Sequence, residues 1–133
     1  YVHQIKRLAH PRLHSPILGL MGEYVVGLRA LAQTLAQAAK GLPADAHLDL
    51  TRHELEGARV LDRYTYAIRI KGKYPQFVYW LAMPFFAPVP PEAERFYAQP
   101  GMAEKNISLD WFPIGTGPYM LTMNNPNRRM VLE

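Results

Sequence analysis

The residues able to do chemistry in this chain are few. His10 and His14 stand four apart, the spacing that puts two metal ligands on one helix face. Pro11 lies between them and opposes a regular helix, and no third ligand follows at a fixed spacing, although Glu23 is available. The pair reads as two surface histidines in a polar loop, and no metal site is assigned. Ser15 and Ser108 are the only serines, and neither sits in a Gly-x-Ser-x-Gly elbow. Paired carboxylates could be drawn from Asp45, Asp49, Glu54, Glu56 and Asp62, but no spacing singles out a pair. Cysteine is absent, which excludes a disulfide framework, a thiolate metal site and a thiol nucleophile. No catalytic residue and no cofactor is assigned, and the chain is not expected to be an enzyme.

Two segments have the make-up of binding elements. Gly115-Thr116-Gly117-Pro118 is a short glycine loop. A phosphate cradle would need a following Lys and Ser/Thr, and would lead into a helix rather than a strand. A tight turn that lets backbone pass close to a neighbour is the better reading. Met83-Pro84-Phe85-Phe86 is an apolar segment without regular structure, either a core plug or the wall of a ligand cleft. Composition alone favours the core, as it does for the surrounding aromatics Tyr74, Phe77, Tyr79 and Trp80. Asn106-Ile107-Ser108 fits the glycosylation pattern, which is common by chance.

Composition bounds the class. Of 133 residues, 49% are apolar and 20% charged, as in an ordinary globular chain. The net charge of +4 raises nucleic-acid binding, but Lys and Arg are dispersed, and Arg128-Arg129 is their tightest cluster. The charge reads as a solvated surface and no nucleic-acid partner is expected. No apolar run approaches the ~18 residues needed to span a bilayer. The chain opens on YVHQIKR, with no signal peptide and no initiator Met, and is expected to be a processed or excised piece.

These residues must be positioned by short elements, because 12 prolines impose many stops. Val2, Ile5 and Leu8 predict a helix over 1–9, and Pro11 and Pro16 an irregular link. The stripe Leu20, Tyr24, Leu28, Leu31, Leu35 predicts one helix over 17–39, stopped by Gly41 and Pro43. Residues 42–57 are polar and mixed, with a possible short helix over 50–57. Strands are expected over 58–62 and 64–70, the second with Tyr64, Tyr66, Ile68 and Ile70 on its more buried face. A helix is placed at 75–82, then a turn-rich extended crossing through Pro84, Pro88, Pro90 and Pro91, and a short helix over 91–97. Residues 102–113 read as loop. The end reads as a hairpin, 119–123 and 128–133 about a turn at 124–127, and such a hairpin needs further strands beside it. The fold class is α+β.

Taken together, five segments resemble the extracellular solute-binding protein family 5, the peptide, dipeptide and nickel class that serves ABC importers. YVHQIKRL at 1–8 resembles the helix after that family's Thr-Ala-x-Asp opening, and DRYTYAIRIK at 62–71 its D-x-Y-T strand. PQFVYWLAMPFFAPVP at 75–90 resembles its helix and proline-rich crossing. GTGPYML at 115–121 is the most specific segment, and RMVLE at 129–133 resembles the family's R-I-V-L-E. The segments occur in the family's order, and residues 40–57 are the divergent part.

The resemblance implies a partial lobe of a two-lobed periplasmic-binding-protein-like fold. Residues 1–90 would be the latter part of the extra subdomain of lobe I, and 91–133 the return into its main subdomain. It also implies a substrate-binding component of an ABC importer, periplasmic or otherwise extracytoplasmic, with a membrane anchor as an option for the full-length protein. Its partners would be a peptide or other small solute and the permease subunits, through which it is peripheral to the membrane. The crossing approaches the family's cleft, which raises Met83, Phe85 and Phe86 as cleft-lining residues, with Gly115 and Thr116 near the cleft floor. This piece alone is expected to expose sheet edge and to self-associate. The alternative is a self-contained protein-interaction module with no small-molecule ligand.

Overall fold

The computed structural model describes residues 1–43 and 46–133. Asp45, one of the carboxylates considered above, lies outside the described residues. The structure is mixed helix and strand and divides into two units, Tyr1–Pro90 and Pro91–Glu133.

The first unit starts with α1 (Val2–Leu8), whose i, i+3 repeat buries Ile5 and Leu8 and carries Lys6 and Arg7 in its last turn. Cations there complement the carbonyl end of the helix. After the irregular link come α2 (Leu18–Tyr24) and α3 (Leu28–Lys40). A single helix over 17–39 is therefore corrected to two. Val25, Val26 and Gly27 separate them, and Gly27 adopts a left-handed φ of 75°. The cause is long-range pairing. Val25 bridges Ile70, Val26 N–H donates to the Arg69 carbonyl at 3.1 Å, and Lys71 N–H donates to the Tyr24 carbonyl at 2.8 Å. Two β-branched residues and a glycine give up little helix propensity in forming this extended contact. The break also rotates the stripe. Met21 is fully buried on α2, whereas Leu20, placed in the stripe by spacing, is exposed. On α3 the stripe holds, with Leu28, Leu31 and Leu35 buried.

The segment after α3 makes only a 3-10 turn, Leu50–Arg52, and no helix continues to Gly57. Asp49 holds the start of that turn by accepting from Thr51 N–H at 3.0 Å. β1 (Ala58–Val60) pairs antiparallel with β2 (Tyr66–Ile68), Ala58 opposite Ile68. Both are shorter than the expected strands, and Tyr64 is exposed in the connecting turn rather than on a buried face. Asp62 fixes that turn by accepting from Tyr64 N–H at 2.8 Å. Gly72, with φ of 70°, turns the chain away. Then follow α4 (Phe77–Trp80), shorter than the expected 75–82, and a 3-10 turn at Pro84–Phe86 where an extended run was expected. That turn lets Phe86 enter the core while its neighbours stay outside.

The core of this unit joins all of its parts: Ile5 and Leu8, Met21, Leu28, Leu31 and Leu35, Leu48, Leu50 and Leu55, Phe77 and Phe86. Each such side chain contributes about 1.5–3 kcal/mol of burial. Aromatic packing adds to it. Tyr24 stacks on Tyr74 at 4.3 Å, and Trp80 Nε1 donates to the Tyr74 hydroxyl at 2.6 Å.

The second unit starts with α5 (Pro91–Tyr97), with proline at its first position and Glu92 and Glu94 in its first turn. Turns follow to residue 118, and β3 (Leu121–Asn125) pairs antiparallel with β4 (Arg129–Leu132). The turn sits at Pro126–Arg128, two residues later than the sequence pattern places it. Met120 and Glu133 exchange both backbone hydrogen bonds, at 2.7 and 3.0 Å, and extend the ladder by one pair. The hairpin is a two-stranded sheet, and the only buried apolar residue described in this unit is Ala93.

Candidate functional site

The first unit places its candidates by one turn. In the 3-10 turn at Pro84–Phe86, Met83 is 43% exposed, Phe85 36% and Phe86 0%. The segment is thus core plug and surface at once. Phe86 has no free surface to offer a solute and packs in the core, so the surface candidates there reduce to Met83 and Phe85. Val78 and Tyr79, on the preceding helix α4, are also exposed. They add exposed apolar surface, whereas composition alone favours packing for Tyr79. A short helix presents more than one face, and nothing in the spacing says which face meets the core. Gln4 on α1 anchors the segment from below, its Nε2 donating to the Phe85 carbonyl at 2.9 Å.

The second unit places Gly115 and Thr116 in an exposed bend before β3. Gly115 lines a groove of about 620 Å³ whose other walls include Ile114, Tyr119, Met120 and Leu132. Thr116 is not among its lining residues. A Cβ on Gly117 would meet nothing within 4 Å, so open space rather than close packing surrounds it. Tyr119, expected in a strand over 119–123, stands before β3 and is exposed on the groove. The groove is lined mostly by apolar residues, with Glu133 as its acidic residue, which suits an apolar body carrying a donor or cation.

The remaining chemistry-bearing residues are dispersed. His10 Nδ1 accepts from Arg12 N–H at 3.2 Å, and the His14 ring meets the Arg12 carbonyl at 3.1 Å. Among the described residues no group of three or more His, Asp or Glu is placed to hold a metal. Each described carboxylate of the sequence set has its own engagement. Asp49 takes Thr51 and Arg52, Glu56 pairs with Arg69 at 3.2 Å, and Asp62 takes the Tyr64 N–H. Hydrogen bonds from Thr51 hold the Asp49 carboxyl below its usual range, and the Tyr64 N–H does so for Asp62. Glu54 faces Lys6, whose ammonium is pulled down by burial more than Glu54 and Asp49 raise it. A smaller cavity of about 310 Å³ lies between α3 and residues 52–56, lined by Thr34, Arg52, His53, Glu54 and Glu56. No helix among the described residues is long and apolar enough to cross a membrane.

No family model, no curated protein and no solved structure matches the chain.

Proposed function

We propose that this chain is part of the substrate-binding component of an ABC importer, captured within lobe I of a two-lobed solute-binding protein. The observation that carries the reading is the order of five segments, at 1–8, 62–71, 75–90, 115–121 and 129–133, each resembling its counterpart in solute-binding protein family 5. Further support comes from the second unit. A hairpin whose surroundings bury only Ala93 has too little core of its own, as expected of strands that belong to a larger sheet. In this reading the protein works outside the cytoplasmic membrane, closes over a peptide or related small solute, and delivers it to the permease. Met83 and Phe85 are the solute-facing residues of the first unit. Gly115 and Thr116 are those of the second. The experiment is a calorimetric titration of the complete protein with dipeptides, longer peptides, sugar oligomers and metal chelates. Saturable binding to one class supports the reading, and no binding to any of them overturns it.

A second reading, a protein-interaction module without a small ligand, is favoured by one observation: the core from Ile5 to Phe86 closes within the first unit. It predicts that residues 1–133 behave as a cooperative monomer. The importer reading predicts self-association of residues 1–133 through uncovered sheet edge and apolar surface. Small-angle scattering over a concentration series separates the two.

A further inference from the structure

Among the four asparagines of the chain, Asn106, Asn124, Asn125 and Asn127, only Asn106 is followed two residues later by a hydroxyl, that of Ser108. The intervening residue is Ile107, not proline, so the acceptor pattern for N-linked glycan is complete. Sequence alone makes this a chance-level match. The structure adds three observations that separate Asn106 from a chance site.

First, Asn106 closes a run of turns over 101–106 in the second unit, outside every helix and strand. Second, its backbone is held while its side chain is free. Asn106 N–H donates to the Ala103 carbonyl at 3.0 Å, and Ile107 N–H donates to the Met102 carbonyl at 2.9 Å. The Asn106 side chain is exposed and makes no hydrogen bond among the described residues, and the Ser108 hydroxyl likewise makes none. By contrast the Asn124 amide donates to the Asp110 and Trp111 carbonyls, and Asn125 Oδ1 accepts from Asn127 N–H. Third, Asn106 has a left-handed φ of 53°, which turns the chain sharply at the acceptor. Asparagine tolerates that region better than most residues. Glu104 and Lys105, before it, are exposed as well. Ile107 and Ser108 are half-buried, and the Ser108 carbonyl accepts from Phe112 N–H at 2.9 Å, so an enzyme taking up residues 104–108 need open only turn hydrogen bonds, and no helix or strand.

We infer that Asn106 is an acceptor for N-linked glycan, presented by the folded turn over 101–106. The donor is an oligosaccharide linked to a lipid through a diphosphate. A bond forms between Asn106 Nδ2 and the anomeric carbon of the first sugar. The bond from that carbon to the diphosphate oxygen breaks, and the lipid diphosphate leaves with the electron pair. The amide proton passes to a base of the transferase, and nothing is oxidised or reduced. Glycosylation in the cell rests on the extracytoplasmic location proposed above, because such transfer takes place outside the cytoplasm. The acceptor chemistry of the turn does not rest on it.

The test is transfer in vitro. Folded chain is incubated with an oligosaccharyltransferase and lipid-diphosphate oligosaccharide, with a short control acceptor peptide in the same tube. Intact mass is expected to rise by one glycan, mapped by peptide sequencing to Asn106. Asn106→Gln and Ser108→Ala are expected to abolish the rise, Ser108→Thr to keep it, and Asn127→Gln to leave it unchanged. An unmodified chain beside a modified control peptide overturns the inference, as does a glycan on another residue. Modification of urea-unfolded chain alone overturns the claim that the folded turn presents Asn106. Cell fractionation is read separately. A cytoplasmic parent protein sinks the importer reading and leaves the in vitro result standing.

Discussion

Gln4 Nε2 donates to the backbone carbonyl of Phe85 at 2.9 Å, joining residues 81 positions apart. Gln4 is buried, and its Oε1 accepts from Arg7 at 3.0 Å, so the amide is oriented from both ends. The bond ties the first helix to the turn that exposes Met83 and Phe85 and buries Phe86. Gln4→Ala removes the donor without filling its volume. The expected loss of stability is about 1–2 kcal/mol, read as a lower urea midpoint. An unchanged midpoint would show that water replaces the bond at no cost.

The break between α2 and α3 depends on Gly57. A Cβ added there would lie 2.2 Å from the Val26 carbonyl oxygen and 2.8 Å from its nitrogen, both backbone atoms. Gly57→Ala must therefore displace the Val25–Gly27 segment or β1, at a cost of roughly 1–3 kcal/mol or more. Gly41→Ala is the control. Its Cβ meets nothing within 4 Å and its φ of −90° suits alanine, so a change within about 0.5 kcal/mol is expected. Equal effects of the two substitutions would contradict this account of the break.

Phe86 and Met83 stand three residues apart and should behave oppositely. Phe86→Ala empties a fully buried site and is expected to cost about 3–5 kcal/mol, with solute binding lost only through unfolding. Met83→Ala alters a half-exposed surface, and its stability effect is expected within about 0.5 kcal/mol. Denaturant titration of both variants checks the contrast.

Lys6 gives a pH dependence with a definite sign. Burial lowers its folded pKa, with Glu54 and Asp49 opposing the shift. Between that lowered value and the ordinary lysine value of about 10.4, the unfolded chain binds more protons than the folded one. Stability therefore rises with pH through the alkaline window just below the ordinary value. Tyr66, pushed up by burial and by Tyr1, acts in the other direction at the top of that window. It is common to both proteins, so the difference between the parent and Lys6→Met isolates the lysine. Urea midpoints against pH should rise less steeply in Lys6→Met. A parallel pair of curves would contradict the assignment.

Local signals made part of this structure legible. Pro91 marks the start of α5, because its fixed φ suits a first helical turn, and Val2, Ile5 and Leu8 mark α1, because their spacing puts them on a single face. The single helix that spacing predicts over 17–39 breaks for a physical reason. The apolar spacing runs on from Tyr24 to Leu28 without interruption, and the force that stops the helix is the pairing of Val25 and Val26 with Ile70 and Arg69, more than forty positions away. Phe86 could not be sorted from Met83 and Phe85 by composition, since all three are large and apolar. Their sorting is decided by a turn and by a bond from Gln4. The groove at Gly115 depends on where Tyr119, Met120 and Leu132 stand after the hairpin closes, which spacing does not encode.

The central claim, solute capture for an importer, is tested most directly by isothermal calorimetry of the complete protein with a panel of dipeptides and longer peptides. The account predicts saturable one-site binding to a member of the panel, weakened at least several-fold by Phe85→Ala while the urea midpoint stays near that of the parent. No heat of binding to any peptide, sugar oligomer or metal chelate, from a protein shown to be folded, would contradict it.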